Sequence, residues 1–494
     1  MNNKPNVVYI FADDMGVGDL SCMNENAKFK TVHLDALAAD GMICSDMHSS
    51  SSVCTPSRYS VLTGRYNWRS TLKQGVTGGY SRPILEDDRM TVASMLKEKG
   101  YKTSCIGKWH LGLEWPLKDG GIADTYQDED RVDFSKALTN TPIHHGFDSF
   151  YGISASLDMP PYVYIENDKS TCVPNKKMEQ RGGKEFMRAG MIGEDFEPED
   201  VLNHITKKVE DSIDSYAKGD DPFYIYFPLP APHTPIFPTE KFKGKSGTNE
   251  YGDFCLLVDD TVGRVMQSLE KNGLTENTIV IFTADNGCSP MADFDELATF
   301  DHNPSYIYRG MKSDIFEGGH RIPFVVRWPE TIKAGRISEQ TLCLSDFTAT
   351  MAEITSYDLP DNAAEDSVSS LPVWNDTAKE PVREATVHHS ITGKFSIRKG
   401  KWKLEMCPCS GGWSYPQKRL DVIKEMPPIQ LYNLESDIGE TNNVHEKHPE
   451  VVKELKALLT DYIKRGRSTP GEKQKNTGPK HWPELDWLSE SEMY

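Results

Sequence analysis

What this 494-residue chain lacks narrows its class first. It has no uninterrupted apolar run of about 18 residues, which excludes a transmembrane helix. It shows no leader: residues 1–6 are polar, and the apolar run 7–11 is too short for a signal-peptide core. The start therefore reads either as cytosolic or as a mature start after removal of a leader. Positive charge is scarce. The 55 basic residues against 74 acidic ones give a formal net charge of −19, which excludes a duplex nucleic-acid partner, since that needs a basic footprint. The ten cysteines have no regular spacing, and Cys407-x-Cys409 is neither a zinc nor a thioredoxin spacing. Cysteine usage thus decides nothing about compartment. No internal repeat is visible.

What is present is a series of short apolar runs, each ending in polar residues. Residues 6–11 predict a buried parallel strand that runs into Asp13 and Asp14. Adjacent carboxylates there repel unless a cation or donors compensate; a solvated turn is the plain alternative. The run 102–106 delivers Lys108 and His110, which as i, i+2 residues of an extended segment point to one side. An exposed pair is the plain alternative, but open α/β sheets place ligands at the carboxyl ends of strands. Residues 222–227 lead into a proline-rich loop that holds His233. The strand 278–283 ends in Asp285-Asn286, and Arg309-Gly310-Met311-Lys312 comes before a strand over 324–328.

Helices are predicted over 33–40 with Gly41 as its left-handed stop, from the cap Thr91 to the stop Gly100, and over 251–269 with Gly273 as the stop. A further helix spans 344–354. The polar stretches 115–145 and 166–200 read as insertions near the site, and 358–383 reads as a linker. Short antiparallel strands are expected at 386–389, 394–398 and 401–406. Pro449 opens a terminal helix to Lys464, with Val451, Leu455, Leu458, Leu459 and Ile463 on one face. The division expected is a catalytic unit over 1–375 and a C-terminal subdomain over 376–494.

The chain is organised around Val53-Cys54-Thr55-Pro56-Ser57-Arg58, followed by Leu62-Thr63-Gly64-Arg65. Pro56 suits the first turn of a helix, which puts Cys54 just ahead of an N-terminus whose N–H groups favour an anion. Arg58, one turn on, offers a fork of donors for a tetrahedral oxyanion. A lone cysteine is ordinarily a small buried hydrophobe. Here both halves of a long signature are present, and polar groups follow at four more strand ends. The stretch resembles the signature of the formylglycine-dependent sulfatases, and the resemblance runs over nearly the whole chain.

That resemblance implies an alkaline-phosphatase-like α/β sandwich: a large mixed, mostly parallel sheet between helices, plus a small C-terminal α+β subdomain with an antiparallel sheet. It implies that a maturase oxidises Cys54 to formylglycine, whose hydrate attacks sulfur. Asp13, Asp14, Asp285 and Asn286, with position 54, are then the Ca²⁺ ligands. The residues agree that far, since hard oxygen donors suit Ca²⁺ or Mg²⁺. In the family's terms Arg58 orients the nucleophile and Lys108 and Lys312 neutralise sulfate oxygens. His233 protonates the leaving sugar oxygen, and His110 deprotonates the second hydroxyl. The implied partner is a sulfated glycan, and the implied location is periplasmic or secreted, with no membrane insertion.

Candidate sugar contacts are Asp158, Met159 and Tyr162; His302, Asn303 and Ser305; and His388 or His389 with Trp413. Exposed polar residues on loops usually do nothing. Yet Ser156-Leu-Asp-Met-Pro-Pro-Tyr162 and Asp301-His-Asn-Pro-Ser305 resemble bacterial carbohydrate sulfatases of glycan-degrading systems. This favours exo-acting removal of 6-O-sulfate from galactose or N-acetylgalactosamine. Two rivals stand beside it: a formylglycine phosphodiesterase or phosphonate esterase of the same fold, and a non-catalytic glycan-binding relative.

Overall fold

The strand Asn6–Ala12 turns Val7, Tyr9 and Phe11 to one face and Val8, Ile10 and Ala12 to the other, and every one of them is buried. A strand covered on both faces is the centre of a layered sandwich. The structure, a computed structural model, describes residues 4–417 and 421–488. Among them no helix is long and apolar enough to cross a membrane.

The central sheet has ten strands. Their order is Arg336–Ser338, Met42–Cys44, Phe324–Arg327, Thr278–Ala284, Asn6–Ala12, Phe223–Pro228, Lys102–Lys108, Ser149–Ile153, Ile165–Glu166 and Lys169–Ser170. The run from Thr278–Ala284 to Ser149–Ile153 is parallel throughout. Phe324–Arg327 and Ile165–Glu166 join it antiparallel. The sheet is thus mixed and mostly parallel, as expected. Register then decides where polar groups meet. Ala12 pairs with Ala284 and Phe11 with Pro228, so Asp13, Asp285 and the loop holding His233 leave the sheet at one level.

Helices Cys54–Thr63, Val92–Glu98 and Phe347–Thr355 cover one face. Val32–Ala39, Val201–Tyr216 and Glu250–Lys271 cover the other. The stripe Val258, Val262, Val265 and Leu269 is fully buried, each side chain contributing ~1.5–3 kcal/mol. Thr91 caps its helix through the N–H of Ser94, as predicted. A second sheet orders Thr386–His389, Phe395–Lys399, Trp402–Glu405 and Gln430–Asn433 antiparallel. Helix Pro449–Arg465 packs on it through Leu455, Leu459, Tyr462 and Ile463.

Three expectations change. Gly41 is not a left-handed stop; it is small because a Cβ there would lie 2.3 Å from the Val326 carbonyl oxygen. The strand expected over 42–49 is two pieces, Met42–Cys44 and Met47–His48. Residues 358–383 are not a loose linker. Trp374 is buried there, and Asp366 takes Nε and Nη2 of Arg69 at 2.7 and 2.8 Å. Composition alone hides such a strap, because its polar residues are spent on buried partners rather than on water.

Candidate active site

Cys54 is the first residue of its helix rather than the residue before it, with Val53 as the cap and Pro56 in the first turn. The Val53 side chain makes no cap bond, so N–H groups of the first turn remain for an anion. The approach is held by hydroxyls: Ser49 Oγ lies 2.6 Å from Ser57 Oγ, and Ser50 Oγ donates to Ser60 Oγ at 2.7 Å. Cys54 lines a cavity of about 460 Å³, together with His110, His233 and Lys312.

Beneath it lies a knot of buried charge. Lys108 Nζ meets Asp13 Oδ2, and Lys312 Nζ lies 2.6 Å from Asp14 Oδ1. Arg58 Nη2 reaches Asp285 Oδ2 at 2.8 Å and Asp13 Oδ1 at 3.5 Å. Asn286 Nδ2 donates to Asp14 Oδ1 at 2.7 Å. Burial pushes Asp13 up, but Lys108, His233 and Arg58 outweigh it and hold its carboxyl well below the usual range. Asp285 goes the other way: burial and then the charge of Asp13 push it up to about 7. Carboxylates that compete in this way are relieved by a divalent cation. Two buried oxygens, Asp13 Oδ1 and Asn286 Oδ1, have no hydrogen-bond partner among the described residues. Oxygens of Asp13 and Asp285 lie within 4.8 Å of each other and of the Cys54 sulfur. The donor set fits a hard divalent cation.

The histidines differ in their surroundings. His110 has φ 59°, so the i, i+2 alternation predicted from an extended segment stops at Lys108, where the strand ends. The ring reaches the cavity through that left-handed turn. Its Nε2 donates to the Thr77 carbonyl at 2.8 Å, which leaves Nδ1 with a lone pair and no partner among the described residues. Burial, then Lys108 and Arg58, hold His110 well below its ordinary value. His233 Nε2 lies 3.6 Å from Asp14 Oδ2, and Ser156 Oγ is 3.3 Å from its Nδ1. Burial and Lys312 lower it, against Asp14 and Asp13.

The cavity brings together Cys54, His110, His233, Lys312, Asp158, Met159 and Trp413, while Arg58, Lys108 and the four oxygen donors lie below it. Five other candidates sit elsewhere. His302 is buried with Nε2 on Asp19 Oδ1 at 2.9 Å, and Ser305 Oγ donates to the Gly310 carbonyl. His388 stacks on His320 at 3.8 Å, in a buried network with His48, Asp46, Glu317 and Arg398. The parallel rings of His320 and His388 direct their in-plane lone pairs side by side, which does not suit one shared metal. Tyr162 turns its hydroxyl to the Asp158 and Arg188 carbonyls, and His389 packs on Phe395. Arg188, which lines the cavity and pairs with Asp158 Oδ2, was not foreseen. Its segment was read only as an insertion near the site. That insertion also anchors the His233 loop, since Thr234 Oγ1 and Ile236 N both donate to the Lys184 carbonyl at 2.8 and 2.9 Å.

Cations and N–H groups converge on one floor residue, with two buried histidines in different surroundings. This is the equipment of a hydrolase for esters of a tetrahedral oxyanion. The comparisons narrow it further. A family model described as Sulfatase matches residues 5–357, and the chain belongs to that family. It is a sulfuric ester hydrolase of alkaline-phosphatase-like fold, in a family that generally uses formylglycine and a divalent metal. An N-acetylgalactosamine-6-O-sulfatase of Bacteroides thetaiotaomicron is 34% identical, with 93% of each chain covered. Human arylsulfatase A is 30% identical over 92% of this chain and 87% of that protein. A solved structure from work on the metabolism of multiple glycosaminoglycans by Bacteroides thetaiotaomicron superposes with TM-score 0.80 and 33% identity, covering 93% of this chain and 99% of that one.

Proposed function

We propose that this sulfatase removes 6-O-sulfate from a terminal galactose or N-acetylgalactosamine of sulfated glycans. The observation that carries the sugar assignment is the Asp158–Arg188 pair in the wall of the Cys54 cavity. An acceptor and a donor side by side read a hydroxyl, and an epimer leaves the buried Asp158 Oδ1 without a partner among the described residues. The relative named for N-acetylgalactosamine-6-O-sulfate supports this reading. A cavity of about 460 Å³ suits one sulfated sugar more than a continuous chain, which favours exo action.

The catalytic parts follow from chemistry. Burial pushes the Cys54 thiol up against the pull of Lys108 and Lys312, so an unmodified thiol is neutral and a poor nucleophile. Formylglycine made from Cys54 by a maturase supplies the attacking hydroxyl, and Ca²⁺ supplies positive charge beside it. Asp13, Asp14, Asp285, Asn286 and position 54 hold that ion. Lys108 and Lys312 neutralise sulfate oxygens, and Arg58 keeps Asp13 and Asp285 in place. His233 gives a proton to the leaving sugar oxygen, and His110 accepts one at Nδ1. Residues 1–375 form the catalytic unit and 376–494 the subdomain, and the protein works in the periplasm or outside the cell.

The test is a panel of monosulfated galactose, N-acetylgalactosamine, N-acetylglucosamine and glucose. Rates on the 6-sulfated galacto sugars should exceed those on the gluco epimers by far more than tenfold, because a mismatched hydroxyl reader rejects strongly. Equal rates on both epimers, or activity at another sulfate position only, would refute the sugar assignment.

A further inference from the structure

Lys312 and Trp413 both line the Cys54 cavity, but they come from different sheets. Lys312 precedes the strand Phe324–Arg327 of the large sheet, and Trp413 follows the strand Trp402–Glu405 of the small one. Ser313 and Asp314 join the two loops. Ser313 is buried at φ 82°, a region that a serine keeps only where its neighbours hold it. Its N donates to Ser52 O at 2.7 Å, its carbonyl accepts from Ile391 N at 3.0 Å, and its Oγ accepts from Trp413 N at 3.0 Å.

Asp314 is fully buried, so it meets no substrate and can act only through its neighbours. Its carboxylate gathers donors from both loops. Oδ1 takes Trp413 N at 2.8 Å and Ser414 N at 3.1 Å. Oδ2 takes Met311 N at 2.9 Å and the Ser414 hydroxyl. Gly412 allows so close an approach: a Cβ there would lie 2.4 Å from Ser313 O and 2.5 Å from Asp314 Oδ1. Two oxygens are needed, because an asparagine would turn an N–H₂ group toward one set of donors.

The two ends of this junction differ in how else they are held. Lys312 N donates to Cys288 O at 2.9 Å, and its ammonium lies 2.6 Å from Asp14 Oδ1. Those contacts do not pass through Asp314. The Trp413 N–H is shared between Ser313 and Asp314. Trp413 itself is 41% exposed. A single exposed aromatic is ordinary. One whose backbone is fixed by buried side chains, in the wall of a cavity, presents a rigid face. The negative face of an aromatic ring suits the C–H-bearing face of a sugar.

We propose that Asp314 is a positioning residue that holds Trp413 against the sugar, in fixed register with Lys312 on its sulfate. The proposal rests on the sulfated-sugar reading of the cavity. Freeing Trp413 weakens ground state and transition state alike, which raises KM and leaves kcat. General loosening of the floor would instead lower kcat and weaken free sulfate.

The test is a double-mutant cycle of wild type, Asp314→Asn, Trp413→Ala and the double variant, each matured and assayed on a 6-sulfated galacto sugar. Asp314→Asn should raise KM about tenfold, with kcat within about twofold of wild type. Inhibition by inorganic sulfate, which meets the floor and not Trp413, should change less than about twofold. In the Trp413→Ala background Asp314→Asn should raise KM less than about twofold, because residues that act as a unit are not additive. An unchanged KM, an equal rise in the Trp413→Ala background, or an equal weakening of inorganic sulfate overturns the proposal. If Asp314→Asn does not fold, Ser414→Ala takes its place: a two- to threefold rise in KM that Trp413→Ala abolishes supports the role, and an additive or absent effect overturns it. If matured wild type hydrolyses no 6-sulfated galacto sugar, the reading of the cavity fails separately. The junction is then judged by hydrogen exchange in the variant that folds. Faster exchange over 410–415 with 54–63 unchanged supports it, and unchanged exchange over 410–415 overturns it.

Discussion

Lys312→Ala isolates one charge in the catalytic floor. Lys312 Nζ lies 2.6 Å from Asp14 Oδ1 and 2.8 Å from Oδ2. Burial opposes its charge, but Asp14, Cys54 and Asp13 outweigh burial and raise it, so the ammonium is permanent at neutral pH. A donor fixed where oxyanion charge gathers is worth roughly 10²–10³ in kcat, or ~2.7–4 kcal/mol. The structural loss is smaller. Asn286 Nδ2 still bonds Asp14 Oδ1 at 2.7 Å, and a bound cation takes over the remaining charge. Sulfate release should therefore fall about 10²–10³-fold in kcat with KM nearly constant, the signature of a contact made in the transition state. The thermal midpoint should stay close to wild type with calcium and drop further in chelator. The assay needs preparations whose Cys54 conversion has been measured and matched. A kcat within about threefold of wild type would refute the role, and so would a loss that merely follows unfolding.

Three more outcomes follow from the same structure. A chelator should lower activity and the thermal midpoint together, and added Ca²⁺ should restore both, because a ligand that binds only the folded state stabilises it; unchanged melting in chelator would count against the cation site. Asp46 is held well below the usual carboxylate range, since Arg321 and Arg398 outweigh its burial. The folded carboxylate binds its proton more weakly than the unfolded one, so its stabilisation is complete above about pH 4 and drains as pH falls. Asp46→Asn should thus cost ~3–5 kcal/mol at pH 7, with the gap to wild type closing in acid, as read by denaturant melts across pH. Asp158→Asn should narrow the preference for galacto over gluco sugars, whereas His302→Ala, buried on Asp19, should leave that preference intact and lower only the melting temperature; the reverse pattern would move the sugar site.

Much of the fold was legible because it follows short periods. The apolar run over residues 6–11, the Thr91 cap and the stripe from Tyr251 to Leu269 all appear where the pattern put them. The convergence of Asp13, Lys108, Asp285 and the His233 loop follows from parallel strands that end at one level. What was hidden depends on contacts between distant residues. His110 reaches the cavity through a left-handed φ that alternation does not foresee. His302 and His388 look like loop ligands in sequence but satisfy Asp19 and a buried ring stack. Arg188 gains meaning only because its insertion folds back over Asp158. The fourth strand of the small sheet, Gln430–Asn433, follows a long irregular stretch and carried no clear strand signal.

The central claim is that Cys54 is a precursor and its aldehyde is the nucleophile. It is tested by peptide mass spectrometry of position 54 alongside sulfate release, in preparations made with and without a formylglycine-generating maturase. Activity should scale with the fraction of Cys54 whose sulfur has been exchanged for oxygen, and Cys54→Ala should show none while remaining folded. Full sulfate release from a preparation with an intact Cys54 thiol, or from Cys54→Ala, would contradict it.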